Sequence, residues 1–447
     1  MAKKIIIAGG GISGLSAAYT LMKEGADVLV LEKNQRPGGC IRTGKEDGFL
    51  FEYGPNSTMN SNDEIDSLCM ELGLEDERIF GGSQSKKRYV MRGGQPVPLP
   101  MGIVDFIKTG LWSTRGKMRL IKEPFIGRYK GDDETVADFV TRRIGRELLD
   151  YALDPFVSGV YAGNPENLSL KSTFPKMKEL EDRYGSLILG AIRKGLKGGK
   201  SNRPKGIFSF KQGMESLPRA MAEALGNRFK GGVEVRALKK KGDRYIIALS
   251  DGSVTEADKV ILSSPAYVNA EIISSLAPQI SSELMGIEYA PIVVVFLGFK
   301  REVVSHPLDG FGCLIPLKEQ KQLLGSLWSS SLFPYRAPHG YVSMTCFIGG
   351  SRNREIINET DEKILSIVMN DLGDMVGIKG SPSFIKIIRH NKAIPQYNTG
   401  HYDRLERINR SLRRFPGLHL LGNYLQGISL ADCAMNGINM GRNINLF

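Results

Sequence analysis

The stretch that most constrains this chain is Lys4-Ile5-Ile6-Ile7-Ala8-Gly9-Gly10-Gly11-Ile12-Ser13-Gly14. The apolar run Ile5 to Ala8 reads as a buried parallel strand, and Leu15 to Lys23 follows the glycines with helical spacing. A second apolar strand, Ala26 to Leu31, is closed by Glu32, which lies 18 residues past Gly14. Strand, G-x-G-x-x-G, helix, strand and terminal acid together specify a dinucleotide site. Gly9 makes the tight turn, Gly11 lets backbone approach a pyrophosphate, and Gly14 allows close packing of helix on strand. The turn through Gly10 and the helix start at Ile12 and Ser13 face the negative charge. Glu32 accepts from a ribose hydroxyl, and an acid there favours an unphosphorylated ribose, hence FAD or NAD over NADP.

The loop after Glu32, Lys33-Asn34-Gln35-Arg36-Pro37-Gly38-Gly39-Cys40-Ile41-Arg42-Thr43, must pass close to something, and Arg42 sets a fixed cation beside it. Its G-G-x-x-x-T spacing resembles the element that follows the ribose acid in two-dinucleotide-binding flavoproteins. That resemblance narrows the cofactor to FAD and adds Lys33 and Gly39 to the candidate contacts. A turn through Gly54, Pro55, Asn56 and Ser57 comes next, then an amphipathic helix from Asp63 to Leu72.

A chain of 447 residues with 41% hydrophobic and 24% charged composition exceeds one core and implies two or three domains. The net charge of +12 fits either a generally basic surface or attraction to an anionic membrane or a carboxylate-bearing substrate. No aromatic-interleaved basic motif points to nucleic acid. The 5 cysteines are scattered without C-x-x-C and read as reduced thiols, and the 5 histidines are equally dispersed, so no metal centre is expected. The first strand begins at Lys4, so no leader is expected, and no run of eighteen apolar residues suggests a transmembrane helix.

Residues 86–93 read as a basic strand entering a hairpin that Pro96, Pro98 and Pro100 end. From Met101 to Lys130 bulky apolar residues alternate with cations, the composition of an interfacial helix pair that dips into anionic lipid, or of a helical cap on a soluble domain. Asp132-Asp133-Glu134-Thr135 opens a further helix, and a Gly- and Lys-rich linker spans 194–200. Strands follow around Val233 to Val235, Tyr245 to Leu249 and Lys259 to Leu262, with a return to a second domain near Ala266. The closing strand Leu418 to Leu421, ending at Gly422, and a helix from Ser429 to Met440 imply a discontinuous cofactor domain.

Several blocks far from the fingerprint resemble the flavin- and oxygen-dependent protoporphyrinogen oxidases, within the flavin monoamine oxidase-like superfamily. They are Val157-Ser158-Gly159-Val160-Tyr161-Ala162-Gly163, Phe174-Pro175, Gly310-Phe311-Gly312-Cys313-Leu314-Ile315-Pro316, Ile394-Pro395-Gln396-Tyr397 and Gly427-Ile428-Ser429-Leu430-Ala431-Asp432-Cys433. The resemblance implies an α/β fold of three parts. These are a Rossmann-like FAD domain (1–60, 205–265, 410–447), an α+β substrate domain (61–92, 266–409) and a helical membrane-binding domain (93–204). It implies six-electron oxidation of protoporphyrinogen IX to protoporphyrin IX, with dioxygen as acceptor and hydrogen peroxide as product. By motif, Arg88 matches the arginine that pairs with a substrate propionate, Phe347 the aromatic on a pyrrole ring, and Leu314 and Leu327 the aliphatic sandwich. Asn56 lies beside the flavin, Gly163 near the methylene bridge attacked, and Val235, Gly422, Ile428, Ser429 and Leu430 at the cofactor. The hydride goes to FAD, so no catalytic acid–base pair is expected.

The implied protein is cytoplasmic and bacterial in type, peripheral on the cytoplasmic membrane face, with a ferrochelatase and a second copy of itself as partners. Coproporphyrinogen III is the alternative substrate, with four propionates instead of two. An amine oxidase, a carotenoid desaturase and a non-catalytic nucleotide-binding protein that docks on membranes are the remaining readings.

Overall fold

A computed structural model describes residues 3–60, 63–197 and 206–444. Its first sheet is five parallel strands in the order Phe229–Gly231, Asp27–Glu32, Lys4–Ala8, Lys259–Leu262 and Leu418–Leu420. The strands come from the beginning, middle and end of the chain. Side chains alternate across a strand, so Ile5 and Ile7 face one core while Ile6 and Ala8 face another. Burial on both faces explains why the opening run is continuously apolar instead of alternating.

The first core holds the helices Ile12–Lys23 and Leu430–Asn443. The second holds an antiparallel sheet (Val235–Lys241, Arg244–Leu249, Val254–Ala257) and the helices Ala266–Ile273 and Pro278–Met285. Ile408 of the helix His401–Leu412 joins that second core. Residue 266 therefore does not separate two cores. The chain leaves the nucleotide sheet only at the long strand Tyr289–Lys300.

That strand belongs to a seven-stranded sheet, ordered Phe384–Pro395, Tyr289–Lys300, Tyr341–Gly349, Leu323–Leu327, Gly312–Leu314, Tyr89–Arg92 and Gln95–Pro98. One face packs on the helix Asp361–Val376 through Val293, Val295, Leu297, Met344, Cys346 and Ile348. The opposite face buries Val294 and Phe296 against Phe49, Phe51 and Phe384. Pro96 and Pro98, expected to end the hairpin, lie inside its second strand, opposite Met91 and Tyr89. Gln95–Pro98 is the sheet's edge, where a missing N–H costs no ladder bond.

A helical layer fills 103–197. Thr135 caps the helix Val136–Arg143 by accepting from the Asp138 N–H. The short helices Ile103–Lys108 and Thr114–Ile121 leave Met101, Ile103, Val104, Ile107, Met118, Ile121 and Phe125 exposed. Of the linker stretch expected at 194–200, residues 194–197 close the helix Leu187–Lys197 and residues 198–200 lie outside the described residues. Among the described residues no helix is long and apolar enough to cross a membrane, and no His, Cys, Asp and Glu cluster could hold a metal.

Candidate active site

The Lys4–Ala8 strand is where the five-stranded order reverses, with Asp27–Glu32 on one side and Lys259–Leu262 on the other. The crevice at such a switch point, outside the carboxyl ends of the strands, is where open α/β sheets bind ligands. Gly9 turns the chain there with φ +111, a conformation closed to most side chains. A Cβ on Gly14 would stand 2.2 Å from the Gly9 carbonyl oxygen, so only glycine lets the helix start this close. A Cβ on Gly11 would meet nothing within 4 Å, and no side chain caps the helix Ile12–Lys23. Open space before uncapped N–H groups is a cradle for phosphate oxygens.

Glu32 is buried and held from two directions. Its Oε2 accepts from the Gly10 N–H at 2.7 Å, and its Oε1 from the Asn34 N–H and Nδ2 at 2.9 and 2.7 Å. Oε2 keeps a lone pair for a ribose hydroxyl. The segment leading to Val235 lies on the same turn, Gly232 donating to the Asn34 carbonyl and Val233 to the Glu32 carbonyl. Gly38 donates to the Gly10 carbonyl, which seats the G-G loop over the fingerprint. Arg36, passed over in the sequence, pins that loop by donating to the Pro37, Gly39 and Ile41 carbonyls. Arg42 and Lys33 are exposed, Arg42 stacking on the Tyr53 ring at 4.1 Å.

A second helix N-terminus joins the first. Ser429 caps Leu430–Asn443 by accepting from the Asp432 N–H at 3.1 Å. A Cβ on Gly437 would lie 2.3 Å from the Ser13 oxygen, and one on Gly441 2.7 Å from Thr20 Cβ. The two helices thus run side by side in the same direction, and both N-termini lie at one end of the sheet. Leu430 is buried in the core they share, whereas Ile428 is half-buried against the helical layer. Gly422 takes φ +147 just beyond the strand Leu418–Leu420.

The half-exposed part of that second face of the seven-stranded sheet supplies a wall. Gly325 pairs with both Leu314 and Phe347, and Leu327 pairs with Thr345, so these residues share one face. Leu314, Leu327 and Phe347 are half-exposed, while the alternating Cys313, Ser326 and Cys346 are buried on the other side. The helix Asp154–Tyr161 roofs part of the wall: a Cβ on Gly159 would stand 2.4 Å from Leu314 Cδ2. Gly163 follows Ala162, which packs in one cluster with Phe347. It is buried, with Gln396 Oε1 and Leu168 Cδ1 each 2.9 Å from where its Cβ would be. It forms part of a packed joint, in which Gln396 donates to the Tyr161 carbonyl and Ser351 to that of Ala162.

At the rim Arg88 is exposed, its guanidinium 5.4 Å from the Phe311 ring centroid. Lys87 pairs with Asp309 at 2.5 Å and Arg92 with Glu147 at 3.0 Å. Among the described residues Arg88 makes no ion pair, so of these three cations it is the one left for an external carboxylate.

Wall and cofactor loops meet at two places. Thr345 donates to Asn56 Oδ1 at 3.3 Å, and the 53–56 turn rests on the G-G loop through the Tyr53 N–H to Arg42 carbonyl bond. Pro55 and Ser57 flank Asn56, half-buried, and a Cβ on Gly54 would stand 2.4 Å from the Cys40 carbonyl oxygen. The second junction is the pair Glu52 and Arg336, 3.6 Å apart and each about 2% exposed. Glu52 accepts from Thr43 Oγ1 at 2.7 Å and from the Met214 N–H at 2.9 Å. Burial pushes its carboxyl up to about 7, against the opposing pull of Arg336 and these donors. Arg36, Glu52, Thr345 and Arg336 carry no motif. Only an acid or arginine inside an otherwise apolar stretch, as in Phe49-Leu50-Phe51-Glu52, could have marked any of them.

Comparison with known proteins agrees with this geometry. A mitochondrial protoporphyrinogen oxidase of Nicotiana tabacum is 34% identical over 98% of this chain and 94% of its own. A coproporphyrinogen III oxidase of Bacillus subtilis is 30% identical over 97% and 96%. A crystal structure from Exiguobacterium sp. 255-15, provisionally named a protoporphyrinogen oxidase, superposes with a TM-score of 0.84 at 25% identity over 99% of both chains. The model of the flavin-containing amine oxidoreductases matches residues 12–445, which takes in the fingerprint helix from Ile12 on, the wall and both junctions. The fold is the mixed α/β flavoprotein fold of that type, the cofactor is FAD, and this chain is an oxidoreductase belonging to the flavin-containing amine oxidoreductase family.

Proposed function

We propose that the chain oxidises protoporphyrinogen IX to protoporphyrin IX, taking six electrons in three two-electron turns, with dioxygen as acceptor and hydrogen peroxide as product. The observation that carries this reading is an apolar wall facing the cofactor loops with Arg88 at its rim, which makes no ion pair among the described residues. A porphyrinogen is a large, nearly apolar macrocycle with propionates at one edge. Leu314, Leu327 and Phe347 hold such rings by apolar contact, and Arg88 fixes their orientation by a charge-assisted bond. FAD, when bound, supplies the two-electron acceptor. The protein's part is to bind, orient and exclude water. Gly9 to Gly14, the G-G loop and the Ser429 helix end hold the cofactor, and Glu32 its ribose.

Coproporphyrinogen III is the second reading, favoured by the 30% identity to the Bacillus enzyme. It carries four propionates and asks for more unpaired cations, whereas Lys87 and Arg92 are engaged. The exposed apolar residues of 101–125, with Lys108, Lys117 and Lys122 among them, support peripheral binding to an anionic cytoplasmic membrane face by the helical part, 93–204. In this reading that part is joined to an FAD domain and a substrate domain, and a ferrochelatase or a second copy of the chain docks nearby.

The test is direct. Purified protein should be yellow and lose its colour anaerobically on adding protoporphyrinogen, and initial rates should favour that substrate over coproporphyrinogen. A large preference for the four-carboxylate substrate would replace the first reading with the second. Colourless protein that releases no flavin on denaturation would remove both.

A further inference from the structure

We propose that Thr345 is a positioning residue that fixes the Asn56 carboxamide so that an N–H, and not the amide oxygen, faces the gap between wall and cofactor. The inference rests on the flavoenzyme reading above. Thr345 is fully buried on the same sheet face as Leu327, in a wall otherwise made of Leu314, Val294, Phe296 and Phe347. A hydroxyl there needs partners, and valine would fill the same space without one. Its partners form a directed chain. Thr345 Oγ1 lies 2.9 Å from Ser329 Oγ and donates to Asn56 Oδ1 at 3.3 Å. Because the Thr345 proton goes to Asn56, Ser329 is the donor in the other contact. Asn56 Nδ2 in turn donates to the Gly54 carbonyl at 3.3 Å.

That chain leaves one Nδ2 hydrogen uncommitted within the structure. Flipping the amide would set Oδ1 against the Gly54 carbonyl oxygen, two acceptors facing each other, and would cost the Thr345 donation. The carboxamide is thus held at both ends, one by the cofactor loop and one by the wall. A donor at this junction suits an acceptor on the cofactor. It does not suit the pyrrole N–H groups of a porphyrinogen, which are donors themselves. Oxidised flavin presents acceptor atoms along its reactive edge, and a donor aimed at them favours the electron-rich reduced state.

The test uses the holoenzyme and three variants. Thr345→Val keeps shape and removes the hydroxyl; Thr345→Ser keeps the hydroxyl; Ser329→Ala removes the outer donor. One hydrogen bond of this kind corresponds to up to about tenfold in rate. Thr345→Val should therefore lower kcat by roughly that factor with KM changed much less, shift the visible flavin spectrum and lower the flavin midpoint potential. Thr345→Ser should restore all three, and Ser329→Ala should show the same changes more weakly. The spectrum and potential are read without porphyrinogen, so they hold or fail independently of the substrate assignment. Wild-type potential and spectrum in Thr345→Val would overturn the proposal. So would loss of FAD or of folded protein in both Thr345→Val and Thr345→Ser, since that marks a packing role.

Discussion

Among single residues, Glu52 and Arg88 bear charge in opposite settings and predict opposite kinds of measurement. Glu52 is buried, with a folded pKa of about 7 against the ordinary 4.5. A raised carboxyl contributes stability that is whole below pH 4.5 and is lost as pH rises through 7, on the order of 3 kcal/mol across the window. Glu52→Gln does not titrate, so its stability relative to wild type should rise steadily between pH 4.5 and 8 in chemical denaturation. A constant difference would show that Glu52 is ionised throughout. Arg88 is exposed, and its removal should spare the fold. Arg88→Ala should reduce kcat/KM for the porphyrinogen by roughly 10- to 100-fold, chiefly through KM, with flavin content unchanged. Leu314 could be singled out because it stands in a motif block and Arg88 and Phe347 because the family's motifs match them, whereas Gly9 and Gly14 were legible because backbone geometry leaves little room for another residue there. Glu52 and Thr345 were not, because their partners Arg336 and Asn56 lie hundreds of residues away in the chain.

Elements follow the same rule of local against distant causes. The opening strand, turn and helix could be read from sequence since their constraints lie within one stretch. So could the Thr135 and Ser429 helix starts, where a capping oxygen and its N–H partner are three residues apart. Pro96 and Pro98 misled because an edge strand is defined by the absence of a neighbour, and a sequence does not show its neighbours. Nor does it show that Gly437 and Gly441 face the fingerprint helix. Their contact sets both N-termini at one end of the sheet, and a Cβ on Gly437 would meet backbone at 2.3 Å. Gly437→Ala should push the helices apart, lowering FAD content and melting temperature together. Gly373→Ala, in a helix where the added Cβ meets nothing within 4 Å, should leave FAD content at the wild-type level. Absorbance at the flavin band per protein distinguishes the two, and full FAD in Gly437→Ala would show that the second helix end is dispensable.

Across the whole molecule, charge and apolar surface are concentrated in different ways, and the helical layer holds both. Phe125 is 88% exposed and Ile103 81%, beyond what a solvated cap requires. Beneath them Arg143, fully buried, bonds Glu181 at 2.6 Å, Glu123 at 3.1 Å and the Ile126 carbonyl at 3.0 Å. Ser186 and the Leu187 N–H close the other side of Glu123. A buried arginine satisfied this fully fixes the turn Glu123–Phe125, so Phe125 is held outward by structure and not by chance of rotamer. The patch thus presents rings and lysines together, which suits the anionic lipid surface proposed above. Vesicles rich in phosphatidylglycerol should then sediment the wild-type protein, and high salt should weaken but not abolish the binding, since apolar burial is not screened. The double variant Ile103→Ser with Phe125→Ser removes apolar burial of roughly 2 kcal/mol per side chain, so its vesicle affinity should fall by about 100-fold or more. Its turnover of porphyrinogen in detergent should be unchanged, because neither side chain lies on the wall. Unaltered sedimentation, together with a concentration-dependent shift from dimer to monomer, would assign the patch to a second copy of the chain.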